Sequence, residues 1–505
     1  MASMRCLESL LTLGKSDNSA IRASNSKSLT YSDLRQLIVQ TKNGLNSLDI
    51  FPEDRVAIVL PNGPLMATAF ISVSCYTTAA PLNPSYLHDE FEFFMADLGV
   101  KALIVEHGSS SPAIEAAKKI GAKIISLVSV PFSGAGYFKI SEAQDYNARF
   151  DASQNENGIA LVLHTSGTTS KPKIVRLSHK NIWSSVQAIA KTLDFSENDC
   201  GLNIMPLFHI HGLMAGLLAP LSRGGSVYCS PGFNAIKFFS WMEEANPTWY
   251  TAVPTMHQAI LLRANRNKNI IKMNPLRFIR SSSSPLPPQV ITELEETFNS
   301  PVIESYGMTE ASHQMASNPL NGMRKPGTVG IAAGPKIAIM DEVGRISKNE
   351  EIGEIVIKGD NIMTGYENNP KANQESFTNG WFRTGDQGFI DKDGYISLTG
   401  RLKEIINCGG EKISPREIDE ILMDHPDVLQ VVTFSIPHPL LGEDVAAAVV
   451  LRNSSKVTDQ ELRDFLSKRL ATFKIPKKII FMDEIPKGPT GKLQRIGLAK
   501  ILGLA

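Results

Sequence analysis

Short apolar runs alternate with amphipathic stretches along the chain before about residue 335. The runs "DRVAIVL", "KALIVE", "KIISLV" and "GIALVL" are continuous and rich in branched side chains, which is typical of strands buried on both faces. Between them, "GPLMATAFISVSCYTT" and "SPAIEAAKKIG" have the length and composition of helices, and Ser178 is a good N-cap for another. The alternation predicts an α/β fold whose sheets are largely parallel and covered by helices.

The pattern changes after about residue 335. The runs "AIMDEVGRI", "GEIVIKGD" and "GYISLTG" are punctuated by Gly, Asp and Asn, which indicates an antiparallel β subdomain. After "TGRLKE" the pattern predicts a compact α+β segment, with helices at "SPREIDEILMDH" and "TDQELRDFLSKRL" and strands at "VLQVVTFSI", "DVAAAVVLR" and "KKIIFMDE". We therefore predict a large N-terminal domain over residues 1–399 and a small C-terminal domain over residues 400–505.

Composition narrows the class of protein. The 505 residues are 42% hydrophobic and 20% charged, which is ordinary for a globular protein. Lys+Arg and Asp+Glu balance at 51 each, so no overall basic field indicates a nucleic-acid partner or an anionic membrane surface.

Cysteine spacing and the chain ends bear on the compartment. The five cysteines lie far apart and form no metal-ligand motif, which favours a reducing compartment. No apolar stretch reaches the roughly 20 residues that a membrane span needs. We expect a cytoplasmic enzyme, monomeric or homodimeric. A peroxisomal location stays open, although the last residues are "GLA" and not the peroxisomal "SKL".

The stretch "LVLHTSGTTSKPKIV" places small hydroxyl residues, one glycine and two lysines between two predicted strands. A loop of small residues can turn its backbone N–H groups toward one point and bind an anion, most often phosphate. Its spacing is not that of a Walker loop. On composition alone, a solvated turn is the alternative. The candidate phosphate ligands are Thr165, Ser166, Gly167, Thr168, Thr169 and Lys173.

Five motifs occur in order along nearly the whole chain: "HTSGTTSKPK", "YGMTEAS", "WFRTGDQGFI", "GRLKEIINCGGEKISP" and "IPKGPTGKLQR". Together they resemble the adenylate-forming superfamily, which contains acyl-CoA synthetases, aryl-CoA ligases, luciferases and peptide-synthetase adenylation domains. The first motif departs from the family at Ser170 and Ile174, where the family commonly has glycine. The resemblance implies that ATP activates a carboxylate to an acyl-adenylate, and that a thiol, usually that of coenzyme A, then displaces AMP.

The resemblance also implies roles for single residues. Tyr306 would stack on adenine, Thr309 would bond a phosphate oxygen, and Glu310 would hold Mg²⁺, a cation that prefers oxygen ligands. Asp386 would accept the two ribose hydroxyls, and Arg401 would reach the ribose or a phosphate. Ser283 and Glu304 would belong to the same nucleotide site.

Lys492, in "PTGKLQR", has the position of the family's catalytic lysine, which bridges the carboxylate and the α-phosphate during adenylation. Family members then rotate the C-terminal domain about a hinge, here Lys403. The rotation would bring Gly409 and Gly410 against the pantetheine of coenzyme A. Cys408 lies beside them, but it has no His or Asp partner near in sequence and is not predicted to be a nucleophile.

The acid site is predicted from polar residues around the family motifs. His209 matches a family position that gates the acyl site. His211 follows it at a spacing that puts both on one side of an extended stretch, and a metal site there would need further ligands. We expect an acid pocket formed by His209, His211, Ser283, Ser284 and His313. Arg280 precedes the serines, where many relatives have smaller residues nearby.

Buried donors reject a substrate that leaves them unpaired, which favours a small second carboxylate over an alkyl chain. The phrases "MPLFHIHGL", "ESYGMTEASHQMASNPL" and "RKPGTVG" most resemble the oxalate–CoA ligase branch, which includes fungal peroxisomal CoA synthetase-like proteins. The alternatives are a broader acyl-CoA or 4-coumarate-type ligase, an adenylation protein that loads a separate carrier, and a non-catalytic nucleotide-binding protein.

Overall fold

The structure is a computed structural model that describes residues 5–141, 155–165, 172–348, 350–452, 455–488 and 492–505. The strands in chain order are β1 (Ser19–Arg22), β2 (Leu29–Thr30), β3 (Arg55–Ile58), β4 (Thr78–Pro81), β5 (Ala102–Glu106), β6 (Lys123–Ser129), β7 (Phe138–Ile140), β8 (Ile159–Thr165), β9 (Lys173–Ser178), β10 (Cys200–Asn203), β11 (Ser226–Cys229), β12 (Trp249–Ala252), β13 (Phe278–Ser281), β14 (Val302–Met308), β15 (His313–Ser317), β16 (Ile331–Ala332), β17 (Lys336–Met340), β18 (Gly353–Lys358), β19 (Phe377–Thr378), β20 (Trp381–Ile390), β21 (Ile396–Arg401), β22 (Ile406–Cys408), β23 (Glu411–Ile413), β24 (Val428–His438), β25 (Gly442–Leu451) and β26 (Lys478–Phe481).

The helices in chain order are α1 (Tyr31–Ser47), α2 (Pro64–Ser74), α3 (His88–Asp97), α4 (Ala113–Lys119), α5 (His179–Thr192), α6 (Ile210–Leu213), α7 (Ala219–Leu221), α8 (Phe238–Ala245), α9 (Pro254–Ala264), α10 (Lys268–Met273), α11 (Pro288–Phe298), α12 (Pro370–Ser376), α13 (Pro415–Met423), α14 (Asp459–Ser467) and α15 (Leu498–Ile501). A π-helical stretch, Met214–Leu218, joins α6 to α7. In the part of the chain that the structure describes, none of these helices is long and apolar enough to cross a membrane.

Two sheets contain the predicted buried strands. One has the order β7-β6-β5-β3-β4-β8-β9, with parallel neighbours from β6 to β8 and antiparallel strands at both edges. The other has the order β16-β15-β14-β13-β12-β10-β11-β1-β2 and is parallel from β14 to β1. The inner strands β4, β10, β12 and β13 are buried along their whole length, as expected for strands covered on both faces. The predicted α/β class with largely parallel sheets is confirmed.

Two further sheets follow, as the change of pattern predicts. Strands β17 to β21 form an antiparallel sheet, and β22 to β26 form a sheet in which β25 and β26 are parallel and the other neighbours antiparallel. The second of these sheets packs with α13 and α14 around its own apolar core. The predicted boundary between residues 399 and 400 lies inside β21, and it stays a prediction.

The hairpin of β8 and β9 leads directly into α5. Ser178 caps this helix: its hydroxyl accepts the N–H of Asn181 at 3.2 Å, and the Asn181 side chain accepts the Ser178 N–H at 2.9 Å. Such reciprocal bonds satisfy N–H groups that a helix start leaves free. The cap therefore fixes the junction between β9 and α5.

Candidate active site

The candidate residues converge at the carboxyl ends of parallel strands, where open α/β sheets bind ligands. Thr251 lies near the end of β12, Arg280 near the end of β13 and Tyr306 near the end of β14. These three strands are neighbours in one sheet. Side chains more than 25 residues apart in sequence therefore share one edge of the sheet.

The predicted phosphate loop joins the ends of the β8–β9 hairpin. Thr165 is the last residue of β8 and Lys173 the first of β9. The Lys173 ammonium lies 4.4 Å from the ring centroid of Tyr366, a cation–π contact. The predicted ligands Ser166, Gly167, Thr168 and Thr169 lie outside the described residues.

Glu310 is a buried carboxylate at the end of the "YGMTE" motif. The hydroxyl of Tyr366 donates to its Oε1 at 2.8 Å. Burial raises the pKa of Glu310, although the Tyr366 hydrogen bond and the charges of Arg401 and Lys173 work in the opposite direction. The neighbouring hydrogen bond and positive charges therefore do not fully offset the cost of burying the charged carboxylate. Thr309 precedes it, half-buried, in the same short turn, Thr309–Ala311.

Asp386 is held from two sides. The hydroxyl of Tyr306 donates to Oδ2, and Nε of Arg401 donates to Oδ1 at 2.9 Å. Asp386 and Arg401 are cross-strand partners on β20 and β21, so strand register brings them together. The three residues assigned to the nucleoside thus form one hydrogen-bonded group. Each Asp386 oxygen keeps a lone pair with which to accept a further donor.

Glu304 is buried but is not part of that group. Its Oε1 accepts the N–H of Leu286 at 3.1 Å, and burial raises its pKa to about 7. The charges of Arg416 and Glu420, from α13, act on it. Glu304 therefore faces the segment that follows the predicted hinge, and its place in the nucleotide site stays a prediction.

Lys492 lies in the same region as these carboxylates. It is half-buried, and burial is the main cause that lowers its pKa, to about 8. The positive charge of Arg401 lowers this pKa further, whereas Asp386 and Glu310 raise it. Burial is the main cause that lowers the pKa of His209, and the charge of Lys492 lowers it further. Lys492 thus lies close enough to Asp386, Glu310 and His209 for their charges to interact.

The two histidines of "FHIHG" do not lie on an extended stretch, and that prediction was wrong. His209 is the N-cap of α6, and its Nδ1 accepts the N–H of His211 at 3.3 Å. His211 lies inside the turn. A side chain at Gly212 would come within 2.2 Å of the Pro206 carbonyl oxygen, so glycine permits a tight turn where we expected an extended stretch.

His211 and His313 stack on each other in the interior. Their ring centroids are 4.8 Å apart and their planes differ by 19°. Both residues are almost completely buried. Nδ1 of His211 lies 3.0 Å from the hydroxyl of Ser283, whereas the hydroxyl of Ser284 donates to the Ser283 carbonyl at 2.9 Å. The structure therefore joins three of the predicted acid residues, and it turns Ser284 toward the backbone.

Arg280 completes this group and was not among the predicted acid residues. Nη1 donates to Nε2 of His211 at 3.2 Å, and Nη2 donates to Nε2 of His313 at 3.1 Å. Nη2 also donates to the Gln314 side chain at 3.3 Å. Among the described residues, no carboxylate forms an ion pair with this fully buried guanidinium. The sequence signal that could have identified it is the arginine within the buried strand "FIRS".

Unusual backbone conformations cluster at the same place. Ser283, Ser312 and His313 have φ angles of 77°, 51° and 93°. Non-glycine residues in this region cost about 1–3 kcal/mol each and tend to mark functional sites. A positive φ is uncommon for any residue other than glycine. The chain thus accepts strain to place His313 against Arg280.

The predicted hinge and coenzyme A residues lie beyond β21. Lys403 is exposed in the turn between β21 and β22. Gly409 and Gly410 have φ angles of 58° and 95°, which other residues rarely adopt. Cys408 is buried, and burial raises the pKa of its thiol, which disfavours the thiolate that a nucleophile needs. Their contacts with coenzyme A stay predictions.

The chain is similar to known proteins over almost its full length. The AMP-binding enzyme family matches residues 13–367, and the AMP-binding enzyme C-terminal domain matches residues 417–492. The chain is 43% identical to the oxalate–CoA ligase of Arabidopsis thaliana over 95% of this chain and 94% of that protein. It is 40% identical to the oxalate–CoA ligase of Saccharomyces cerevisiae over 97% and 95%. The structure of ATP-bound MatB from Rhodopseudomonas palustris superposes with a TM-score of 0.90, at 28% identity, over 99% of both chains.

Proposed function

The chain belongs to the AMP-binding enzyme family, and from this premise we propose that it is an AMP-forming acid–thiol ligase whose acid is oxalate. ATP and oxalate form oxalyl-adenylate and diphosphate. The thiol of coenzyme A then attacks the acyl carbon, and AMP leaves with the former oxalate oxygen. The products are oxalyl-CoA, AMP and diphosphate.

The observation that supports oxalate is the buried, unpaired positive charge of Arg280. Burying a charge without a partner is costly, and an anion close by offsets that cost. When one carboxylate of oxalate becomes the mixed anhydride, the other stays ionised and needs such a partner. A fatty or aromatic acid offers this site no negative charge. The Arg280–His211–His313 group therefore favours a small diacid.

The charges on the other side of the site fit adenylation. Lys492 and Lys173 supply positive charge where negative charge gathers on the phosphates. The family resemblance implies Mg²⁺. The raised pKa of buried Glu310 fits a cation ligand, since a divalent ion would supply the compensation that its neighbours do not complete. Bound there, the ion would screen phosphate charge.

The test is diphosphate release with ATP, Mg²⁺ and coenzyme A, over oxalate, malonate, acetate, 4-coumarate, octanoate and palmitate. We expect turnover with oxalate and little with the others. Turnover with aromatic or fatty acids only would overturn oxalate and keep the adenylation reaction. ATP binding without turnover on any acid would favour a separate carrier protein or a non-catalytic role.

A single variant tests the acid site within this assay. His313→Ala should raise KM for oxalate strongly, because it removes a donor next to the unpaired arginine. His107→Ala is the matched control, since His107 is exposed and directly follows β5, in the sheet that does not contain Arg280. An unchanged KM in His313→Ala would contradict the polar acid site. The cytoplasmic location and the monomeric or homodimeric state stay predictions from the sequence.

A further inference from the structure

The hydrogen bonds of Arg280 determine where two histidine protons lie. A guanidinium has donors only. Nε2 of His211 and Nε2 of His313 therefore both accept from Arg280, and neither nitrogen carries a proton. Each neutral ring then has its proton on Nδ1. The hydroxyl of Thr251, 2.7 Å from the same nitrogen of His211, also accepts from Nη1 of Arg280 at 3.4 Å, so this hydroxyl and the guanidinium share the single lone pair of Nε2.

We infer that Arg280 is a positioning residue, which fixes His211 and His313 as neutral Nδ1–H tautomers so that the acid site presents hydrogen-bond donors backed by a buried positive charge. This inference rests on the proposed function for the identity of the acid. The tautomers themselves follow from the protein's own contacts.

Arg280 is screened from the acid by the rings it orients. It is fully buried, and its two Nη atoms donate to the two imidazoles, Thr251 and Gln314. The imidazoles therefore separate the guanidinium from the predicted acid site. Its charge acts through them, while contact with a substrate falls to the outward donors.

The outward donors belong to Ser283 and His313. Nδ1–H of His211 donates to the Ser283 hydroxyl at 3.0 Å, which leaves the Ser283 O–H free to donate onward. No described residue accepts from Nδ1–H of His313. Two donors, the Ser283 O–H and the His313 N–H, are thus left for a carboxylate. Without Arg280, either ring could adopt the other tautomer and offer an acceptor that repels it.

The surrounding charges keep the rings neutral. Burial is the main cause that lowers the pKa of both histidines well below the usual range, and the positive charges of Arg280 and Lys492, with His209, act in the same direction. A protonated ring would also have to give up its hydrogen bond from Arg280. The acid site would therefore bind an anion through neutral hydrogen-bond donors, with the fixed positive charge of Arg280 behind them.

The direct test is the ¹⁵N spectrum of the histidine side chains in the full-length protein without substrate. His211 and His313 are assigned by their replacement with Gln. We expect Nδ1–H tautomers for both rings in the wild type and a shift toward Nε2–H in Arg280→Met. His179, whose Nδ1 accepts the N–H of Leu7 at 3.3 Å, is the internal reference and should not change. Unchanged tautomers in Arg280→Met would overturn the inference, whichever acid is the substrate.

Kinetics provide the second readout. Arg280→Met should raise KM for oxalate by about tenfold or more, the size of a charge-assisted hydrogen-bond effect, with a smaller change in kcat. Arg280→Lys keeps the charge without the forked donors, and it replaces Arg280→Met if that variant does not fold. Tautomers that shift while KM stays constant would overturn the role in acid binding. A wild type that does not use oxalate would refute the proposed function and leave the tautomer result standing.

Discussion

Replacing Lys492 by methionine separates the two half-reactions of the proposed enzyme. The change removes the ammonium and keeps most of the side-chain volume. Lost stabilisation of transition-state charge typically costs about 100- to 1,000-fold in rate. We expect that loss in oxalate-dependent exchange of diphosphate into ATP. Transfer from chemically prepared oxalyl-adenylate to coenzyme A should be largely unaffected, because the domain rotation that the family resemblance implies takes Lys492 away from the phosphate before the thiol attacks.

The pKa of Lys492 gives this prediction a pH dependence. Adenylation needs the charged form, so the wild-type exchange rate should fall by about tenfold per pH unit above the pKa of about 8. Lys492→Arg stays charged at such pH, so its residual activity should lack this decline. Lys487→Ala is the matched control, because Lys487 is exposed and pairs with Glu484.

The same burial predicts a gain in stability. A lysine pKa lowered from 10.5 to about 8 means that folding penalises the charged form. The difference corresponds to about 3 kcal/mol, which partial exposure reduces to roughly 1–2 kcal/mol. The cost is complete below pH 8 and disappears as pH rises toward 10.5, so Lys492→Met should raise Tm most below pH 8. Equal loss of both half-reactions, or near-normal exchange, would refute the catalytic role, and the melting curve shows whether unfolding is responsible.

Three further predictions follow from individual contacts. Lys403→Pro restricts the turn after β21 and should slow thioester formation far more than adenylation in single-turnover assays; equal slowing of both steps would count against a hinge. Ser178→Ala removes the cap of α5 and should lower the free energy of unfolding by about 1 kcal/mol at unchanged KM for ATP, whereas an unchanged Tm would argue that the cap is dispensable. Tyr366→Phe removes the hydrogen bond that lowers the pKa of Glu310. The acid limb of the adenylation profile should then move to higher pH and the Mg²⁺ requirement should rise, and an identical profile would show that this bond does not tune Glu310.

Local pattern determined much of the fold. Apolar runs and helical spacing predicted the parallel strands, the antiparallel sheet after residue 335 and the compact last segment. This worked because the spacing of apolar residues reflects both the local secondary structure and the face that it buries. The same logic failed at His211. There a short helix replaced the expected extended stretch, since the spacing of the two histidines does not encode the close approach of Gly212 to the Pro206 carbonyl.

The ordered motifs also predicted the nucleotide residues, with a chemical role for each of them. Which of these side chains contact each other depends on how distant elements pack. Strand register sets Asp386 beside Arg401, and neighbouring strand ends set Arg280 beside His211 and His313. No local period encodes these contacts, because they join residues from separate elements of the sheets. The tautomers of the two histidines follow from such contacts. The sequence therefore predicted only a polar acid site, and the structure adds which ring nitrogen donates and which accepts.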